Sequence, residues 1–134
     1  MSLSLDVLDR LIAFDTVSDR SNLQMIAYIE DFLTSRGFRV QRINDPDADK
    51  AGLLAEIGPA VAGGLLLSAH CDVVPVSGQS WSVPPFKLTR QGGRLYGRGT
   101  TDMKGFLAEM LALADAMHTR DLKAPLKLLV SYDE

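Results

Sequence analysis

The stretch LLLSAHCDVVPV, residues 65–76, decides the fold class. Leu65 to Ala69 is apolar apart from Ser68, which suits a strand in the middle of a sheet covered on both faces. The run then breaks into His70, Cys71 and Asp72, with Pro75 just behind. A strand interior has little tolerance for an imidazole and a carboxylate, but at the strand's open end they can point at something. Residues i and i+2 of a strand face the same side, so His70 and Asp72 project together while Cys71 points away. In parallel α/β sheets, ligand sites form beyond the carboxyl ends of the strands.

Working outward, strands and helices alternate. Leu5, Leu8, Leu11 and Ile12 recur at helical spacing, which predicts an amphipathic helix from residue 4 to about 15. Ser21 and Gln24 have the form of a capping box for a helix running to about Arg36, and Gly37 is its stop. Phe38–Ile43 alternates as a half-buried strand does, 44–52 is loop by composition, and Leu53–Ile57 is a further short strand. Lys87–Thr89 and Arg94–Tyr96 flank QGG as a hairpin. GRGTTD, residues 97–102, leads into a long helix with Phe106, Leu107, Met110, Leu111, Ala114 and Met117 on one face. Leu126–Tyr132 reads as another buried strand. The expected fold class is α/β, with a mixed, largely parallel sheet flanked by helices. The hairpin is taken as the source of the mixing.

The bulk composition narrows the function classes. The chain has 134 residues, 46% hydrophobic and 23% charged, enough for one domain with a real core. The 14 Lys and Arg are scattered and the net charge is −3, which argues against a nucleic-acid partner. One cysteine permits no intramolecular disulfide. No apolar run is long enough for a membrane span, and MSLSLDVLDR does not read as a signal peptide, so the expected location is the cytoplasm.

Three separate segments deliver imidazole or carboxylate groups to strand or loop ends: His70 with Asp72, Asp102 where the Gly-rich segment meets its helix, and Asp133 with Glu134. Imidazole and carboxylate are the usual non-thiol zinc ligands, so metal-assisted hydrolysis is the chemistry that wants this set. Each residue also has a plainer reading. An acidic residue past a strand commonly caps a turn, and a metal-free core with capping carboxylates stays open at this point. Cys71 reads as a small apolar filler and His118 as a solvated helix end.

HCDVVPV, Trp81 with PPF at 84–86, GRLYGRGTTDMKGF at 93–106 and SYDE at 131–134 together resemble the dinuclear zinc aminoacylase/carboxypeptidase family. The resemblance runs in order along essentially the whole chain. It implies that His70 and Asp102 are metal ligands, with Asp102 bridging two zinc ions (cobalt being an alternative metal) and its peptide to Met103 often cis. It implies catalytic parts for Asp72, which orients the His70 imidazole, and for Glu134, the general base. Within the family, LIAFDTVSDRSNLQMIAYIEDFL and SYDE are most similar to acetylornithine deacetylases, implying hydrolysis of N2-acetylornithine to ornithine and acetate in arginine biosynthesis. The alternatives are a succinyl-diaminopimelate desuccinylase or a related carboxypeptidase or aminoacylase, or a non-catalytic α/β piece.

Family members are much longer. The resemblance therefore implies that residues 1–134 are the N-terminal portion of a catalytic domain. Further ligands and a lid or dimerisation domain lie elsewhere, and the piece is inactive by itself. The implied partners of the whole protein are a small N-acyl amino acid substrate and a second copy in a homodimer, with no nucleic acid and no membrane.

Overall fold

Alternate burial along the last strand sets the layering. A computed structural model describes residues 2–134. Its elements in chain order are α1 (Leu3–Ala13), α2 (Leu23–Thr34), β1 (Arg39–Asn44), β2 (Ala51–Ile57), β3 (Leu65–His70), β4 (Thr89–Gln91), β5 (Arg94–Tyr96), α3 (Lys104–Met117) and β6 (Leu126–Ser131). In β6, Leu126, Leu128 and Val130 are buried while Lys127, Leu129 and Ser131 are half-buried. The helices cover the first set: α1 packs on α3, α3 touches α2, and α2 and α3 lie on the strands. On the other face, Glu56 takes a hydrogen bond from Arg39 at 2.8 Å on one neighbouring strand and an ion pair with Lys127 at 3.7 Å on the other.

The α/β fold with a mixed sheet is as expected, but the pairing is not largely parallel. The sheet order is β1-β2-β6-β3. The β1–β2 and β2–β6 pairs are antiparallel, and only β3–β6 is parallel. The mixing also comes from a different place than the sequence suggested. β4 and β5 form a separate two-stranded sheet, with Gly92 and Gly93 as the turn between the paired Gln91 and Arg94. The β1–β2 pair is antiparallel because the short loop between them lets consecutive strands fold back on each other, whereas the antiparallel β2–β6 pair joins segments distant in the chain.

β3 is an edge strand, not a central one, and Leu65 and Leu66 are about half exposed. A run of apolar residues reports hydrophobicity but not position in the sheet, which is fixed by pairing between distant segments. Three smaller differences have local causes. Ser21 Oγ accepts from the Leu23 amide at 3.3 Å instead of reaching Gln24. Asn22 takes the N-cap position and spends its side chain on the Ala51 backbone and the Cys71 sulfur. Phe106 is exposed and Lys104 is buried, so the inner stripe of α3 runs Lys104, Leu107, Ala108, Leu111, Ala114, with Met110 beside it. Gly37 does end α2, with a φ of 79° that a side chain would resist.

Candidate metal centre

The carboxyl end of β3 is held open by a second strand-like segment. Val73 donates to the Thr16 carbonyl at 3.0 Å and Ser18 donates to the Val73 carbonyl at 3.2 Å. The Thr16 hydroxyl donates to the Cys71 carbonyl at 2.7 Å. The segment 16–18 thus extends the sheet past the end of β3, and it places Ser18 against Asp72. Ser18 Oγ donates to Asp72 Oδ2 at 2.6 Å. Cys71 points into the core as expected, and burial pushes its thiol up to about 11.

The Gly-rich segment carries Asp102 to the same place. Gly99 has φ 87°, and a Cβ there would come within 2.8 Å of Val73 Cγ1. Only glycine lets this backbone press against the β3 end. The His70 amide donates to the Met103 sulfur at 3.4 Å, which ties Asp102's neighbour to the strand. The Asp102–Met103 peptide is cis, as the resemblance implies. Arg98 fixes the loop from the other side. Its amide donates to the Pro85 carbonyl at 2.6 Å, its side chain donates to Gln79, and its guanidinium lies 5.0 Å from the Trp81 ring centre.

His70, Asp102 and Glu134 converge. His70 Nε2 lies 2.9 Å from Asp102 Oδ1 and 2.8 Å from Glu134 Oε2. One ligand atom from each of the three lies within 4.8 Å of the others. Asp72 stands behind the ring. Its backbone carbonyl is 2.9 Å from Nδ1, and its carboxylate Oδ1 is 3.3 Å from the same nitrogen. The carbonyl, as the acceptor, keeps the proton on Nδ1 and leaves Nε2 free to ligate. Burial pulls the imidazole pKa down. The hydrogen bonds to Asp102 and to the Asp72 carbonyl, with the charges of Glu134 and Asp72, outweigh it and hold the pKa above 6.5.

These residues fit a divalent cation. The donors are one imidazole nitrogen and two carboxylate oxygens, the usual hard and borderline set for zinc. Asp72 Oδ1 is buried without a hydrogen-bond partner, beside the ring that a bound cation would make more acidic. The group opens on a cleft of about 220 Å³, which Ser18, Arg98 and Thr100 also line. The His70 side chain is 10% exposed, against 78% for Asp102 and 68% for Glu134, so the ring is fixed and the carboxylates face the cleft.

Lys104 was missed in the sequence although its position, three and four residues before Leu107 and Ala108, marks it as inward-facing. Its Nζ donates to the Phe14 carbonyl at 2.6 Å and pins the end of α1 to α3. Burial lowers its pKa from 10.5 to about 8. Between those values the unfolded chain holds more protons, so the stability linked to Lys104 is present above 10.5 and lost as pH falls through about 8. Cys71 has the opposite sign, because its raised pKa gives stability below 9.0 that is lost as pH rises through about 11. Raising the pH from about 8 to about 9 is therefore expected to stabilise the fold by about 1 kcal/mol in urea unfolding, and Lys104→Met to remove that gain. A flat or falling profile in the unsubstituted protein would contradict this account.

The family model of peptidase family M20/M25/M40 matches residues 66–134. The chain is 39% identical to acetylornithine deacetylase of Pasteurella multocida over 137 aligned residues, 97% of this chain and 36% of that protein. It superposes on human carnosine dipeptidase 1 with a TM-score of 0.86 at 26% identity, covering 96% of this chain and 31% of that one. A metallo-carboxypeptidase of Sulfolobus solfataricus gives a TM-score of 0.85 at 26% identity, covering 100% and 31%. The chain thus spans about a third of the length of these relatives.

Proposed function

Because this chain belongs to peptidase family M20/M25/M40, we propose that the protein carrying it is a zinc-dependent amide hydrolase that converts N2-acetylornithine to ornithine and acetate. The observation that carries the reading is the meeting of His70 Nε2, Asp102 Oδ1 and Glu134 Oε2 at one rim of the sheet. The substrate follows the 39% identity to an acetylornithine deacetylase. A homodimer in the cytoplasm belongs to the same reading. Among the described residues no helix is long and apolar enough to cross a membrane.

His70 and Asp102 would hold the metal. When bound, divalent zinc there supplies Lewis acidity towards an amide carbonyl and towards water. Asp72 keeps the His70 proton on Nδ1 and sets the plane of the ring. Glu134 Oε2 takes a proton from the attacking water and returns it to the departing amine, a transfer that needs a carboxylate reaching into the cleft. The four residues come from two strand ends and a loop whose backbones are tied together, so their geometry is set before substrate arrives.

The test is turnover by the whole zinc-loaded protein on three substrates: N2-acetylornithine, N-succinyl-LL-diaminopimelate and a dipeptide. The expected result is a kcat/KM for acetylornithine at least about tenfold above the other two. Preference for the succinyl substrate or the dipeptide keeps the hydrolase and replaces the substrate. Absence of zinc-dependent hydrolysis of all three overturns the reading.

A further inference from the structure

Lys50 closes the polar loop before β2, far in sequence from every residue of the metal centre. Its side chain is only 13% exposed. A largely buried ammonium needs partners, and Lys50 finds two in segments 32 and 83 residues away in the chain. Nζ donates to the Ser18 carbonyl and to Asp133 Oδ1, the latter at 2.6 Å. Ser18 in turn donates its hydroxyl to Asp72 Oδ2 at 2.6 Å, and the other oxygen of that carboxylate, Oδ1, lies 3.3 Å from His70 Nδ1, beside the Asp72 backbone carbonyl that bonds the same nitrogen at 2.9 Å. Asp133 precedes Glu134 and has φ 56°, a left-handed conformation that few non-glycine residues adopt without local support. The same loop takes a second bond from this strand end, because Tyr132 OH donates to Asp45 Oδ2 at 2.8 Å.

We propose that Lys50 is a positioning residue that joins the two halves of the metal centre, setting the His70 ring through Ser18 and Asp72 and the Glu134 carboxylate through Asp133. This rests on the hydrolase reading above. The ammonium is a single point held by both arms, so its loss frees both at once. An ordinary surface ion pair would touch neither, and the exposed Lys123–Asp121 pair shows the contrast. The two arms carry different consequences. The Ser18 arm governs how well the imidazole is aimed at a metal. The Asp133 arm governs where the general base sits.

The experiment uses the whole protein and two readouts, zinc affinity by chelator competition and steady-state kinetics, with a melting curve to establish folding. Lys50→Met is expected to weaken zinc by about tenfold and lower kcat by about 10- to 100-fold, the usual cost of losing an outer support, while KM changes little. Lys50→Arg is expected to recover part of both. Ser18→Ala is expected to weaken zinc with the smaller effect on kcat, and Asp133→Asn to lower kcat with zinc affinity retained. A folded Lys50→Met with unchanged zinc affinity and kcat overturns the proposal. Should Lys50→Met fail to fold, wild-type values for both Ser18→Ala and Asp133→Asn overturn it equally. If the unsubstituted protein neither binds zinc nor hydrolyses an acyl amino acid, the hydrolase reading itself falls and takes this role with it.

Discussion

Asp102→Ala is expected to lower zinc affinity of the whole protein by more than about 100-fold, beyond what loss of an outer support costs, and to bring kcat down with it. Asp102 reaches His70 Nε2 from a loop whose backbone is fixed at three points: Gly99 against Val73, Met103 sulfur on the His70 amide, and Arg98 on Pro85. None of these depends on the Asp102 carboxylate, which is 78% exposed. The substitution should therefore leave the melting temperature nearly unchanged while the site is lost. Lewis-acid stabilisation is worth several kcal/mol, so the rate is expected to fall by about 10³-fold or more at sub-saturating zinc. Zinc content and rate equal to the unsubstituted protein would leave Asp102 as a loop cap and end the metal-centre account.

Glu134→Gln is expected to separate chemistry from metal binding. The amide keeps the size of the carboxylate but cannot accept a proton. Positioned proton transfer contributes about 10² to 10⁴-fold, and the expected loss in kcat is about 10³-fold, or roughly 4 kcal/mol of transition-state stabilisation. KM should move little. Zinc affinity should fall far less than for Asp102→Ala if Glu134 serves as the base, and comparably if it serves as a ligand. The distinction is worth making because the geometry permits both, with Oε2 at 2.8 Å from His70 Nε2. A kcat within about tenfold of the unsubstituted enzyme would remove Glu134 from the proton-transfer role.

The two arms of Lys50 and the clamp of Lys104 share a physical logic. Each places a cation where two segments meet and donates to a backbone carbonyl: Lys50 to Ser18 and Lys104 to Phe14. The carbonyls belong to the connection between α1 and α2, which lies against the end of β3. That connection has no helical or strand periodicity of its own, so its placement depends on such distant donors. Losing either would loosen the segment that carries Ser18 to Asp72.

Much of this was legible along the chain. The helical spacing of Leu8, Leu11 and Ile12, the break of the apolar run at His70, the i, i+2 relation of His70 and Asp72, and the acidic end of the last strand are local patterns. Local patterns decide element type and which side chains can share a side. They do not decide which strands pair. That is why the mixed α/β class followed from the sequence while the parallel content was overstated and β3 was assigned to the middle of the sheet. Phe106 was placed on the inner face and Lys104 passed over for a related reason. Hydrophobicity pointed to the phenyl ring, but the angle around α3 set by its packing on α1 put the lysine inside.

The sequence alone determined the donors, because imidazole and carboxylate are chemical identities, and it determined their nearness to strand ends, because that is a matter of pattern. Only the tertiary structure decided that His70, Asp102 and Glu134 meet within 4.8 Å, and that Ser18, Lys50 and Asp133 stand behind them. Hydrogen bonds between residues separated by 32 to 83 positions leave no periodic trace in a chain. They exist because burying the apolar stripes of three helices on one sheet brings those segments together.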